Sequence, residues 1–210
     1  MRWLSPLLFS LLLGSLLQAS QPLPASAQSD KGALWVFAVG VSQYQNPALS
    51  LQYADHDAEA LAKALQEQSG KIFRQVHTKV LVNQQTNRQA ILAEMQTFFA
   101  SAAAEDAALI ALMGHGVVEK GTFYFLPHPA DPKNLSTEGL PLADFEAAVR
   151  EVGQKVGRII LAIDTCHAGA VQIRTRGIKL REAGEAPEKS SLAAGLPAVH
   201  EAYILSSSKD

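Results

Sequence analysis

Two residues 51 positions apart carry most of the chemistry legible in this chain. One is His115, set between glycines in "LMGHG"; the other is Cys166, in "RIILAIDTCHAGA". Cys166 is the sole cysteine among 210 residues, so it closes no disulfide within its own chain. On the residues alone it is a buried bystander, half of an intermolecular bridge, or a reactive thiol. A thiol of ordinary pKa, about 8.5, is mostly protonated at neutral pH, and an imidazole within reach favours the nucleophilic thiolate. Glycines on both sides of His115 let the backbone approach a substrate closely. The N–H of Gly116 could join that of Cys166 in binding an oxyanion. Asp164 stands two residues before the thiol and His167 just after it; His167 reads as a turn residue. His56, His77, His128 and His200 show no zinc-ligand spacing and read as surface or loop residues. The carboxylates of "DHDAE" read as the solvated start of a helix, where Asp55 and Asp57 suit the positive end of the dipole.

Positioning such groups requires strands that stop at a common edge. "ALWVFAVGVS" is a continuous apolar run, as expected of a strand buried on both faces. A helix follows in "ADHDAEALAKALQEQSG", with Ala54, Ala58, Leu61 and Leu65 at helical spacing and Gly70 as a stop. "RQVHTKVLVN" reads as the second strand. "TNRQAILAEMQTFFASAAA" reads as a helix capped by Thr86, with Ile91, Met95, Phe98 and Ala102 on one face. "DAALIALMGHG" is the third strand, "GTFYFLP" one arm of a hairpin, and "LADFEAAVREVG" a helix with Phe145, Ala148, Val149 and Val152 inward. "RIILAI" is the fourth strand and "AYILSSS" the fifth. Strands alternating with helices predict a mostly parallel sheet covered on both faces. Ligands of such a sheet meet the carboxyl ends of its strands, where His115 and Cys166 both fall. If the third and fourth strands are neighbours, thiol and imidazole share one cleft.

Composition bounds the partners. Apolar residues make up 48% and charged residues 18%, enough for a sizeable core and against global disorder. A formal net charge of −2 offers no basic field for nucleic acid. The first residues, "MRWLSPLLFSLLLGSLLQASQPLPASAQS", combine Arg2, an apolar run from Leu4 to Leu17 and a small-x-small pattern ending at Ala27. Residues 1–27 are expected to be a secretory signal peptide, with the mature chain starting near Gln28, periplasmic or secreted, and not inserted in a membrane. Residues 171–201 are rich in charge, Gly, Ala and Ser and read as a flexible loop.

In order, spacing and strand context, "LMGHG" and "AIDTCHAGA" resemble the caspase-like cysteine peptidases (peptidase C14), within them the metacaspase and bacterial orthocaspase branch. "VFAVGVSQY", "LQYADHDAEALAKAL", "FYFLP" and "AYILSSS" extend the likeness from Leu34 to the end. The resemblance implies a three-layer αβα caspase-like (caspase-hemoglobinase) fold with a mostly parallel sheet. It implies that residues 28–210 are the large-subunit region of the peptidase domain, whose C-terminal part, a further strand and helix in the family, lies beyond this chain. By the same resemblance Cys166 is the nucleophile, His115 the general acid/base, and the amides of Gly116 and Cys166 the oxyanion donors. Asp57 and Asp164 match the acids of the pocket that takes the substrate side chain before the cut. Animal caspases use arginine there and cut after aspartate, so two acids imply peptide or protein substrates cut after Arg or Lys. Met113 departs from the small polar residue frequent two positions before the family histidine, which would narrow the pocket. No cofactor is required; calcium activates some metacaspases, and no residue is assigned as its ligand. Arg174, Arg176, Lys179, Arg181 and Lys189 lie where such enzymes are cut into subunits, so self-cleavage between Arg174 and Arg181 is expected. The rivals are a catalytically silent caspase-like module that binds peptides or protein partners, and a redox-sensing thiol, which needs neither His115 nor the acids. Oligomeric state is not legible.

Overall fold

The computed structural model describes residues 32–165, 178–182 and 200–206. The expected signal peptide, Cys166, His167, Arg174, Arg176 and Lys189 lie outside them. The core begins with strand β1 (Leu34–Gly40), whose residues are all buried. It continues through helix α1 (Ala54–Gln66), β2 (Val76–Val82), α2 (Arg88–Phe98) and β3 (Ala107–Gly114). A small antiparallel sheet follows, made of β4 (Gly116–Glu119), β5 (Thr122–Phe125) and, after the short helix α3 (Leu135–Glu138), β6 (Leu140–Pro141). Helix α4 (Leu142–Gly153), β7 (Arg158–Thr165), β8 (Ile178–Glu182) and β9 (His200–Ser206) complete the described elements.

Among the described residues the main sheet has six strands in the order β2-β1-β3-β7-β9-β8, every pair parallel. Its central strands read as unbroken apolar runs because both faces are covered. On one face lie α2 and α4, packed around Phe37, Ile91, Met95, Phe99, Ile110, Phe145, Val149 and Ile159. On the other lies α1, with Ala58 and Ala62 buried against Leu34, Val36, Leu109 and Ala111. Period-two alternation sends Ile159, Leu161 and Ile163 of β7 to the first face and Ile160 and Ala162 to the second. The three αβα layers and parallel sheet expected from the sequence are therefore present. Truncating a fully buried ring such as Phe37 to alanine is expected to cost about 3–5 kcal/mol.

Several local details differ from the sequence reading. Asn87, not Thr86, caps α2, its side chain accepting from the Ala90 N–H. Thr86 is buried instead, and its hydroxyl donates to the Asn83 carbonyl while accepting from the His128 N–H. The helix stops at Phe98 in a tight turn over Phe99–Ser101, leaving Ala102 outside it. "GTFYFLP" does supply one arm of a hairpin, turned at Lys120 and Gly121, both with positive φ as a two-residue turn between twisted strands requires. Within the segment read as loop, residues 178–182 form β8 along the outer side of β9.

The amino end of the sheet is fastened by one buried acid. Asp106 accepts hydrogen bonds from the Ala33 N–H at 2.7 Å, the Trp35 indole at 2.9 Å and the Ala103 N–H at 3.1 Å. Its own carbonyl accepts from the Gly157 N–H just before β7. Burial alone would raise its pKa; those donors, with the Arg74 charge, outweigh it and hold the carboxyl below the usual range.

Candidate active site

At the opposite end, β3 and β7 run side by side to their last residues, with Met113 opposite Asp164 and Gly114 opposite Thr165. The neighbourhood assumed for the third and fourth strands is thus correct. His115 follows immediately on one strand; Cys166 follows on the other and lies outside the described residues. Gly114 has φ +153°, and a Cβ there would stand 2.9 Å from the Tyr44 hydroxyl. The positive φ, with that close approach, favours glycine where the strand turns into His115.

His115 is held at three points. Its N–H donates to the Tyr44 hydroxyl at 2.9 Å, its carbonyl accepts from the Leu126 N–H at 3.0 Å, and its ring Nε2 lies 2.9 Å from the Leu49 carbonyl oxygen. A carbonyl only accepts, so Nε2 carries the proton and Nδ1 is left as the basic atom. The Tyr44 and His115 rings lie 5.2 Å apart. Tyr44 itself is buried, in the larger of the two core clusters. Neither Tyr44 nor the Leu49 carbonyl was assigned a role from sequence. Tyr44 ends "VFAVGVSQY", a stretch that carried the family likeness without naming a role for it, and a carbonyl has no side-chain signature.

Gly116 is buried as the first residue of β4, opposite Phe125. Asp164 is exposed, and alternation along β7 places it on the face covered by α1. Met113 beside it is half-buried against the α1-side cluster. Asp57 is exposed in the first turn of α1. That turn is pressed onto the end of β1: a Cβ on Gly40 would lie 2.3 Å from the Ala54 carbonyl oxygen and 2.8 Å from Asp55 Cα. Gly40, Met113 and Asp164 stand in line across three neighbouring strands, a span of ~10 Å at ordinary strand spacing. Both acids therefore belong to one end and one face of the sheet.

Asp55 and Asp57, both read from sequence as suiting the start of a helix, differ sharply in their surroundings. Asp55 is 8% exposed. It accepts from Asn83 Nδ2 at 2.8 Å and from its neighbour His56, through the backbone N–H at 2.9 Å and Nδ1 at 2.8 Å. Its own N–H donates to Ser42 Oγ at 3.1 Å. Burial would raise its pKa, but the hydrogen bonds from Asn83, Ser42 and His56 outweigh that and bring it to about 2. Of the other histidines, His56 is largely exposed, His77 stacks on Trp35 at 4.2 Å, and His128 pairs with the Gln43 carbonyl. Among the described residues, no group of His, Cys, Asp and Glu side chains is arranged to hold a metal ion, and no helix is long and apolar enough to cross a membrane.

Solved structures with a related chain trace share little sequence. A structural-genomics protein from Geobacter sulfurreducens is 16% identical over 65% of this chain and 51% of its own, with a TM-score of 0.49. The Drosophila initiator caspase Dronc is 14% identical over 69% of this chain and 56% of its own, at a TM-score of 0.42. For pro-sf-caspase-1 the identity is 15% over 87% and 62%, at a TM-score of 0.41. The chain thus spans only about half to three-fifths of the length of these proteins. No curated protein matches it. The caspase-domain family model (peptidase C14) matches residues 33–209, which takes in β1 through β9 together with His115 and Cys166; the chain belongs to the caspase-domain family of cysteine peptidases.

Proposed function

We propose that this protein is a cysteine endopeptidase that uses His115 and Cys166 to cut peptide or protein substrates after Arg or Lys, on the pattern of the metacaspases and orthocaspases. The observation that carries the reading is the fixed imidazole. Its Nε2–H is spent on the Leu49 carbonyl, so Nδ1 is free to take a proton at the carboxyl end of the strand beside β7. In the proposed reaction Nδ1 takes the thiol proton of Cys166, and the thiolate sulfur attacks the scissile carbonyl carbon. The oxyanion is met by the amides of Gly116 and Cys166. Collapse breaks the C–N bond, the imidazolium gives its proton to the leaving amine, and water then hydrolyses the thioester with His115 again as base. Asp57 and Asp164 supply the acceptors that a guanidinium or ammonium needs when it leaves water. No cofactor enters any step. The basic residues between β7 and β9 are the intended internal substrate, and the protein is assigned to the periplasm or the outside of the cell, with a mature start near Gln28.

The test is hydrolysis of matched reporters with Arg, Lys, Asp or a neutral residue before the cut, using the full-length protein. Wild type should prefer Arg and Lys, and Cys166→Ala should show no turnover. Asp164→Asn or Asp57→Asn should lose much more on arginyl than on neutral reporters. Turnover by Cys166→Ala, or a preference for Asp, overturns the reading. Arginyl peptides bound by wild type without turnover would make the chain a silent binding module. Mass spectrometry of wild type beside Cys166→Ala tests self-cleavage, since cuts shared by both belong to another protease.

A further inference from the structure

We propose that Asn83 and Asp55 form a positioning pair that holds the two halves of the active site in register; the proposal rests on the peptidase reading above. One half is the loop that grips His115, the other the turn of α1 that carries Asp57.

Asn83 sits just past β2 with φ +48°, a left-handed conformation that asparagine tolerates and most residues do not. It is 7% exposed, and its carboxamide is bonded through both its oxygen and its nitrogen. Oδ1 accepts from the N–H groups of Ser42 and Gln43, each at 2.9 Å, while Nδ2 donates to Asp55 Oδ2 at 2.8 Å. Its backbone carbonyl accepts from the Thr86 N–H and hydroxyl, which anchors it to the start of α2.

The partners of this amide identify its task. Ser42 and Gln43 immediately precede Tyr44, whose hydroxyl accepts the His115 N–H. The Ser42 carbonyl accepts from the Leu51 N–H at 2.8 Å, closing a loop that contains Leu49, the acceptor for His115 Nε2. Two of the three contacts that hold His115, one to its backbone N–H and one to its ring, therefore hang from one loop, and Asn83 holds its root. Through Asp55 the same amide holds the first turn of α1, two residues before Asp57. Ser42 Oγ closes the circuit by accepting the Asp55 N–H. Asn83 thus touches neither the imidazole nor the proposed pocket, yet is one bond removed from the segments that carry each. A separate acid, Asp106, fastens the strands at the far end of the sheet.

The donors and acceptors are reciprocal, and that makes a sharp test possible in the full-length protein. Asn83→Asp removes the amide donor and sets two carboxylates together; Asp55→Asn removes the charge and mismatches the His56 side. The double exchange, Asp55→Asn with Asn83→Asp, restores the matches among Ser42 and Gln43 N–H, residue 83, residue 55 and His56. The new carboxylate at 83 accepts from Ser42 and Gln43, and the new amide at 55 donates to it while still accepting from His56. Each single variant should lose about tenfold in kcat/KM on the arginyl reporter, with a reduced arginyl-over-neutral ratio. The exchange should return both to within about threefold of wild type. Folded single variants with wild-type rate and selectivity would overturn the proposal, as would an exchange that regains thermal stability but not rate. Where a single variant fails to fold, Asn83→Gly takes its place, since it keeps the left-handed backbone and deletes only the carboxamide. Alkylation of Cys166 by iodoacetamide needs no pocket and separates this idea from the specificity reading. A wild type indifferent to Arg sinks the specificity alone, whereas Cys166 alkylation equally fast in wild type and Asn83→Asp sinks the positioning pair.

Discussion

Two buried carboxylates sit at the two ends of the same sheet, and they are wired differently. Asp106, at the amino end, takes its bonds from the residue preceding β1, from the Trp35 indole within it, and from the turn before β3. Nothing mediates between the acid and the core it holds. Asp55, at the carboxyl end, reaches the loop after β1 both directly, at Ser42, and through the Asn83 amide, and that loop in turn holds a histidine. One acid fixes where strands begin; the other sets what happens past their ends. Buried, hydrogen-bonded charge is thus no sign of function by itself, and the identity of the donors decides its role.

Four changes test that division. His115→Ala, at the carboxyl end, should lower kcat/KM of the full-length protein on an arginyl reporter by about 10³-fold, because in the proposed mechanism thiolate formation and leaving-group protonation both depend on it. Its urea unfolding curve should barely move, and a large stability loss would blur the contrast. Asp106→Ala should do the reverse. It strands buried donors on Ala33, Trp35 and Ala103, so urea unfolding should show a loss of about 3 kcal/mol or more, while the rate per active site is kept. Tyr44→Phe lies between. It leaves the His115 N–H without this acceptor and should reduce kcat up to about tenfold with a destabilisation of ~1 kcal/mol, measured by steady-state kinetics and thermal melts.

The smallest effect is seen in acid. The Asp55 pKa is about 2 in the folded protein, below the ordinary aspartate value of about 3.9, so its ionised form stabilises the fold above that ordinary value. That contribution should fade as pH drops from about 4 through about 2. Asp106 is shifted in the same direction and should add to the same slope. Chemical denaturation across that range should show a shallower dependence for Asp55→Asn than for wild type. Identical slopes would mean that Asp55 does not differ between the folded and unfolded chains.

Strand and helix identities were legible because burial on both sheet faces leaves a strong imprint: "LWVFAVG" and "ALIALM" have no polar residue to spoil the pattern. Spacing and neighbours likewise pointed to His115 and Cys166. What stayed hidden has no side-chain signature or depends on contacts distant in sequence. The Leu49 carbonyl could be any residue's. Asn83 and Asp55 are 28 positions apart and look like the polar end of a strand and a solvated helix start. Thr86 looked like a cap because it precedes a helical pattern by two residues, yet its hydroxyl serves the Asn83 carbonyl and the His128 amide. The substrate assignments of Asp57 and Asp164 rest on resemblance and on their common end and face of the sheet.

β8 bears on the order in which peptide bonds become accessible. It carries Lys179 and Arg181, two of the basic residues expected to be cut, in a strand paired residue by residue with β9. A peptidase cleft takes its substrate as a free extended chain, so those two bonds are open to it only when β8 has left the sheet edge. The basic residues outside β8 carry no such requirement from that pairing. We expect the location of the first cut to decide ownership of the edge. After Arg174 or Arg176, β8 departs in sequence with the downstream piece that already contains β9. After Lys189, it stays covalently with the upstream piece and clasps β9 across the break, so that two chains continue to migrate as one particle until the strand is peeled away.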